Sequence, residues 1–119
     1  MFPPFVLAKI YVQGSLKNTD KGFEFNLKNV VDSGTVVEIG PITVDGKAYQ
    51  AADLTIVTGS NERPAGEVTR VNSMPVYIGG AFTIRVDGEM IAAGEHAISI
   101  SLITREIGRI QIDVKDSLA

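Results

Sequence analysis

The sequence over residues 94–114 reads Gly-Glu-His-Ala-Ile-Ser-Ile-Ser-Leu-Ile-Thr-Arg-Glu-Ile-Gly-Arg-Ile-Gln-Ile-Asp-Val. Its first half alternates apolar side chains at positions 98, 100 and 102 with serines at 99 and 101. Its second half alternates isoleucine or valine at positions 110, 112 and 114 with polar residues. A period of two with β-branched residues predicts strands that are buried on one face only. The stretch therefore predicts a β-hairpin.

The same alternation recurs along most of the chain and predicts an all-β fold. Asp45-Gly46 and Asp87-Gly88 are turn dipeptides, and Gly40-Pro41 predicts a chain break. We expect a single domain over residues 1–119, a single antiparallel β-sandwich of about 8–9 short strands. A sandwich is preferred to a barrel because two sheets packed face to face bury both apolar faces. Besides the terminal hairpin, strands are predicted near residues 10–17, 23–27, 35–39, 42–44, 54–58 and 82–86.

Composition and charge restrict the functional classes. The chain has no Cys, which excludes disulfides, thiolate catalysis and Cys-based metal sites. Its net charge is −3 and no basic stripe is present, so neither nucleic acid nor a membrane is an expected partner. The first residues lack the basic region of a signal peptide, and no stretch has the length of a membrane span. We therefore predict a cytoplasmic location.

Few residues here carry chemistry. His96 is the only histidine, and the sequence leaves two interpretations open. It is either a residue that packs where the chain enters a strand, or part of a polar site with the carboxylate of Glu95 or Glu106. No second His or Cys is present to build a metal site around it. We assign no catalytic residue, no metal and no cofactor, and expect the chain not to be catalytic by itself.

Two irregular segments, residues 61–64 and 72–77, are the candidate interaction surface. They contain Arg63, Met74, Val76 and Tyr77, and Arg, Met and Tyr are residue types enriched at protein interfaces. Loops on a rigid sandwich are also where ligands commonly bind, so residues 59–80 are the candidate lining of a small-ligand pocket. The apolar start, Phe2-Pro3-Pro4-Phe5, is expected to dock on the core or on a partner.

Five short runs carry a resemblance to a known family. They are Gly14-Ser15-Leu16-Lys17-Asn18, Gly22-Phe23-Glu24-Phe25, Val44-Asp45-Gly46, Gly79-Gly80-Ala81-Phe82-Thr83-Ile84 and Ala93-Gly94-Glu95-His96. Their order resembles the small β-subunit of bacterial C-glycoside deglycosidases and related β-sandwich proteins. The resemblance implies a β-sandwich that packs on a larger, barrel-shaped subunit, and that larger subunit holds the metal and the catalytic residues.

Two functions follow as hypotheses. The first is a non-catalytic subunit or interaction module that assembles with a larger enzyme subunit or with itself, as a homo-oligomer. A deglycosidase small-subunit-like protein would be its specific form. The second is a stand-alone module that binds a small ligand or a carbohydrate in a concave pocket. Each hypothesis predicts a different surface feature: an exposed apolar patch for the first, and a pocket with converging polar groups for the second.

Overall fold

The residues that the structure describes, 2–118 of a computed structural model, form ten strands and one short α-helix. Three 3₁₀ turns, Ala8–Ile10, Ala51–Asp53 and Ala65–Glu67, connect some of these elements. None of the helices formed by residues 2–118 has the length and apolarity needed to cross a bilayer. The elements are α1 (Pro4–Leu7), β1 (Lys17–Thr19), β2 (Gly22–Lys28), β3 (Gly34–Val44), β4 (Lys47–Tyr49), β5 (Leu54–Thr58), β6 (Asn61–Pro64), β7 (Met74–Val76), β8 (Ala81–Asp87), β9 (Gly94–Thr104) and β10 (Gly108–Leu118).

The strands form two antiparallel sheets, which confirms the predicted β-sandwich. One sheet has the order β1-β2-β8-β5-β6, and the other has the order β10-β9-β3-β4 with β7 also paired to β3. The terminal hairpin pairs in register over its whole length, from Gly108 opposite Thr104 to Leu118 opposite Gly94. The strand number exceeds the predicted eight to nine because short strands such as β4 and β6 have too few residues to show an alternation.

The core lies between the two sheets and is built from the inward positions of the alternating strands. Phe23, Phe25 and Leu27 of β2 are fully buried, as are Ile100 of β9 and Ile112 of β10. Burying one such side chain contributes about 1.5–3 kcal/mol to folding. The apolar positions of the period-two pattern are therefore the positions that form the core.

The predicted strand over residues 10–17 is wrong. The chain leaves the 3₁₀ turn at Ile10, makes a single bridge from Tyr11 to Leu27, and turns at Gly14 before β1 begins at Lys17. The carboxylate of Asp116, far along the sequence, accepts hydrogen bonds from the backbone N–H groups of Gly14 and Leu16. Because these contacts are tertiary, the local alternation does not reveal them.

The predicted break at Gly40-Pro41 is also wrong. β3 continues through it as one strand of 11 residues. The register against β9 shifts between Ile39 and Ile42, so that Gly40 and Pro41 form a β-bulge. A bulge accommodates residues that regular pairing does not, and it bends the strand locally.

The apolar start of the chain is divided between the core and solvent. Leu7 packs against the core from the end of α1, and Phe2 lines a hollow beside Val31 and Ile110. Phe5 is 69% exposed. The terminus thus docks on the domain in part and leaves one aromatic ring uncovered.

Candidate functional site

Arg63 stabilises its own loop in this structure. Its guanidinium donates hydrogen bonds to the backbone carbonyls of Glu67 (3.2 Å) and Ser73 (3.4 Å), and also to that of Asn72. These bonds hold residues 67–73 against β6. Its use as an interface residue stays a prediction, and a partner would have to compete with these three carbonyls.

The other candidate interface residues lie on β7 and at the position directly after it. Met74 and Val76 of β7 are half-buried and pack against the core, whereas Tyr77 is 70% exposed. Ile78, next in the chain, is 61% exposed, and Val30, which follows Asn29, is 45% exposed. The Asn29 side chain donates to the Val76 carbonyl at 3.1 Å, which joins the two loops that carry these residues. We call Val30, Tyr77 and Ile78 the apolar patch.

His96 is a buried residue whose two ring nitrogens both have partners. Nδ1 lies 2.5 Å from Oδ2 of Asp45, and Nε2 lies 2.6 Å from the carbonyl oxygen of Ala92. Only the protonated ring can donate to both oxygens. The Ala92 carbonyl, followed by Asp45, raises the pKa of His96. The Ala97 N–H, followed by His96, lowers the pKa of Asp45. His96 therefore fastens the segment before β9 to the turn between β3 and β4.

The structure does not bring His96 together with either predicted carboxylate. Glu95 precedes it in the same strand, so its side chain points to the opposite face, where it lies 3.8 Å from Lys115. Glu106 accepts hydrogen bonds from the N–H and the hydroxyl of Thr35, at 2.8 and 2.9 Å. The partner that the sequence reasoning missed is Asp45, which was interpreted as a turn residue only.

A second polar cluster, around Asp116, was also missed. Its buried carboxylate accepts hydrogen bonds from the Tyr11 hydroxyl at 2.6 Å and from the N–H groups of Gly14, Leu16 and Ser117. Burial opposes ionisation of Asp116, but the Tyr11 hydroxyl and these N–H groups together lower its pKa. A signal was present in the sequence, because position 116 continues the inward series of positions 110, 112 and 114.

A concave feature lies at one edge of β3. Val36 pairs with Thr104 of β9 on one side and with Met74 of β7 on the other. Ile42 likewise pairs with both β9 and β4. β7 and β4 therefore share one edge of β3. Among the described residues, no strand pairs with positions 37–41 on that edge, whereas β9 pairs with Glu38 and Ile39 on the opposite edge.

A cavity of about 470 Å³ occupies this gap. We call it the edge cleft, and it is within the size range of small-molecule sites. Residues 37–41 of β3 line it, together with residues 65, 66 and 68–70 of the loop that follows β6. That loop belongs to the segment 59–80 in which a pocket was predicted. The other lining residues are Gln50, Ala51 and Ile103.

The two charged side chains that line the edge cleft, Glu38 and Arg70, differ in their ion pairing. Oε2 of Glu38 lies 4.0 Å from the Arg109 guanidinium. Arg70 is exposed at the cleft, and Arg105 donates to its backbone carbonyl at 3.3 Å. Among residues 2–118, the arginines that form ion pairs are Arg85 and Arg109. The same residues contain no group of three or more acidic or histidine side chains placed to hold a metal ion.

Comparison with known families assigns the chain to one of them. The family described as hydroxymethylglutaryl-CoA reductase, N-terminal domain, matches residues 6–119, nearly the whole sequence. The chain belongs to this family. Among curated proteins, none matches the chain. The reductase N-terminal domain family is thus the family that the comparisons support, and they give no support to the resemblance to the small β-subunit of C-glycoside deglycosidases.

Proposed function

We propose that this chain is a non-catalytic accessory module that assembles with the catalytic part of an enzyme through the apolar patch. The observation that carries the proposal is the exposure of Tyr77, Ile78 and Val30 on two loops that hydrogen bonds hold together. Large apolar side chains exposed on neighbouring loops are typical of a surface that another chain or domain covers.

Family membership supports the enzymatic context of this proposal. The family description names one domain of a reductase, and a domain within an enzyme commonly packs against the part that performs the chemistry. The partner that we propose is the catalytic part of such a reductase. A larger subunit of the C-glycoside deglycosidase type is the alternative partner, supported by the order of the sequence segments alone. A cytoplasmic location and the absence of nucleic acid or a membrane as partners stay predictions.

Light scattering over a concentration series tests the assembly. The apparent molar mass of the wild-type chain is expected to rise with concentration. Alternatively, the chain is expected to form one complex with the purified catalytic part of a hydroxymethylglutaryl-CoA reductase. The double variant Tyr77→Ser, Ile78→Ser should lose that behaviour because it removes the exposed apolar surface. Met90→Ser is the matched control, since Met90 is 65% exposed but lies on the loop after β8. A wild-type chain that stays monomeric alone and in the mixture would contradict the proposal.

The second candidate function is a module that binds a small ligand by itself. The edge cleft favours it, because the cleft has the size of a ligand site and combines apolar and polar lining. A carbohydrate is one ligand class that this hypothesis includes. A stable monomer with a saturable ligand would distinguish it from the assembly function.

A further inference from the structure

The edge cleft occupies the place of a missing segment of strand. Five residues of β3, Val37 to Pro41, run between β7 and β4 with no strand beside them on that edge among the described residues. The backbone–backbone hydrogen bonds found outside the strands in residues 2–118 do not join these five residues to the loop of residues 65–70. Backbone polar groups along an unpaired edge need partners from water or from a ligand. The cleft thus offers a ligand those backbone donors and acceptors of residues 37–41 that do not face β9.

The length of the gap between β7 and β4 limits the ligand to a short molecule. At about 3.3 Å per residue, the gap is roughly 16 Å long, and β7 and β4 close it at its two ends. Pro41 has no N–H to donate, and the bulge at Gly40 interrupts regular pairing. A long peptide strand therefore does not fit, whereas a small molecule does.

The lining indicates an amphiphilic ligand. Val37, Ile39, Ala65 and Val68 are almost completely buried, and each contributes to the cleft. Because these four side chains expose so little surface, the accessible apolar lining comes mainly from Pro41, Ala51 and Ile103. The polar side chains that line the cleft are Glu38, Gln50, Thr69 and Arg70. A ligand with an apolar body and a polar end would meet both kinds of surface.

Arg70 determines the charge of that polar end. The charge of Glu38 is balanced in part by Arg109, whereas the recorded ion pairs of the described residues do not include Arg70. A guanidinium binds planar carboxylates, and also phosphates, through paired N–H donors. We propose that the edge cleft binds a small amphiphilic anion whose carboxylate or phosphate group is held by Arg70. The inference rests on the ligand-binding function and is independent of the apolar patch.

Titration followed by amide NMR tests the site. The protein used is the double variant Tyr77→Ser, Ile78→Ser, so that failure of the assembly proposal does not affect the result. Hexanoate is the probe, hexanamide is its uncharged match, and inorganic phosphate tests the second source of the anion. Hexanoate or phosphate is expected to shift the amide signals of residues 37–40 and 66–70 saturably. Hexanamide should bind at least about tenfold more weakly than hexanoate, because a hydrogen bond to a charged group is lost.

Single-residue variants give the decisive comparison. Arg70→Gln should weaken anion binding by about tenfold or more, whereas Arg85→Gln, which removes an arginine from the other sheet, should leave it unchanged. Glu38→Gln should strengthen binding because it removes a negative charge from the lining. The proposal is overturned if neither anion gives saturable shifts, if hexanamide binds as well as hexanoate, or if the Arg70 and Arg85 variants behave alike. Binding of phosphate without hexanoate would overturn the amphiphilic ligand, because inorganic phosphate has no apolar body.

Discussion

Two buried ionisable residues, Asp116 and His96, show how single side chains tie distant segments of this chain together. Asp116 lies in the last strand and holds the loop that precedes the first, whereas His96 holds the segment before β9 to a turn. In both cases a polar group that would be costly to bury is hydrogen-bonded to several partners. The sequence showed which positions were polar, but it did not show their partners, which lie 51 residues away for His96 and Asp45 and 105 for Asp116 and Tyr11.

Removing the Asp116 carboxylate should destabilise the fold. Asp116→Ala leaves the Tyr11 hydroxyl and the N–H groups of Gly14 and Leu16 without their acceptor. We expect the free energy of unfolding to fall by about 3 kcal/mol, and Tyr11→Phe to cost about 1–2 kcal/mol. Urea denaturation measures both changes. Asp113→Ala, an exposed carboxylate on the same strand, should change stability by less than about 0.5 kcal/mol. Equal effects at Asp113 and Asp116 would contradict this role.

The free energy of unfolding should rise with pH at the acidic end of the range and fall with pH at the alkaline end. The pKa of Asp116 is lowered from 3.8, so its contribution is present above that value and is lost as pH falls through the lowered pKa. The pKa of His96 is raised from 6.5, so its contribution is complete below pH 6.5 and is lost as pH rises through the raised pKa. We therefore expect a maximum in mildly acidic solution, measured by thermal unfolding at a series of pH values. His96→Gln should remove the decline on the alkaline side, and an unchanged decline in that variant would refute the assignment.

At the scale of the element, hairpins were predicted well and strand interruptions poorly. The terminal hairpin and β8 were recognised because three or more alternating positions repeat the same inward face. β3 was divided at Gly40-Pro41 because these residues are local breakers, yet β9 pairs with the strand on both sides of them. Tertiary pairing outweighs the local signal there, and the bulge that results also shapes the edge cleft.

The turn between β1 and β2 gives a prediction at the same scale. Gly22, which follows this turn, has a positive φ of 152°. A Cβ at this position would overlap the carbonyl oxygen of Val86 in the neighbouring strand. Gly22→Ala should therefore lower the free energy of unfolding by more than about 2 kcal/mol, because β2 must move away from β8. Gly66→Ala is the control, since a Cβ there meets nothing within 4 Å. Denaturation curves that are equal for both variants would contradict the steric explanation.

At the scale of the whole molecule, the sheet order predicts where the fold is most stable. β9 is paired on both sides, by β10 and β3, and β8 is paired on both sides by β2 and β5. Amide hydrogen exchange in β8 and β9 should therefore be the slowest in the chain, whereas β6, at the edge of its sheet, should exchange faster. NMR-detected exchange measures this order. Equal protection of β6 and β9 would mean that the domain opens only as a whole.

The sequence by itself determined the fold class, the positions of the longer strands and the inward face of most of them. These depend on neighbours two residues apart, so the alternation of apolar and polar side chains records them directly. Tertiary structure decided which strands became neighbours, that β4 and β7 share one edge of β3, and that Arg70 lies at the gap between them. The partners of His96 and Asp116 were decided in the same way. Such contacts join residues that are far apart in the chain, so a local sequence pattern does not show which residues become partners.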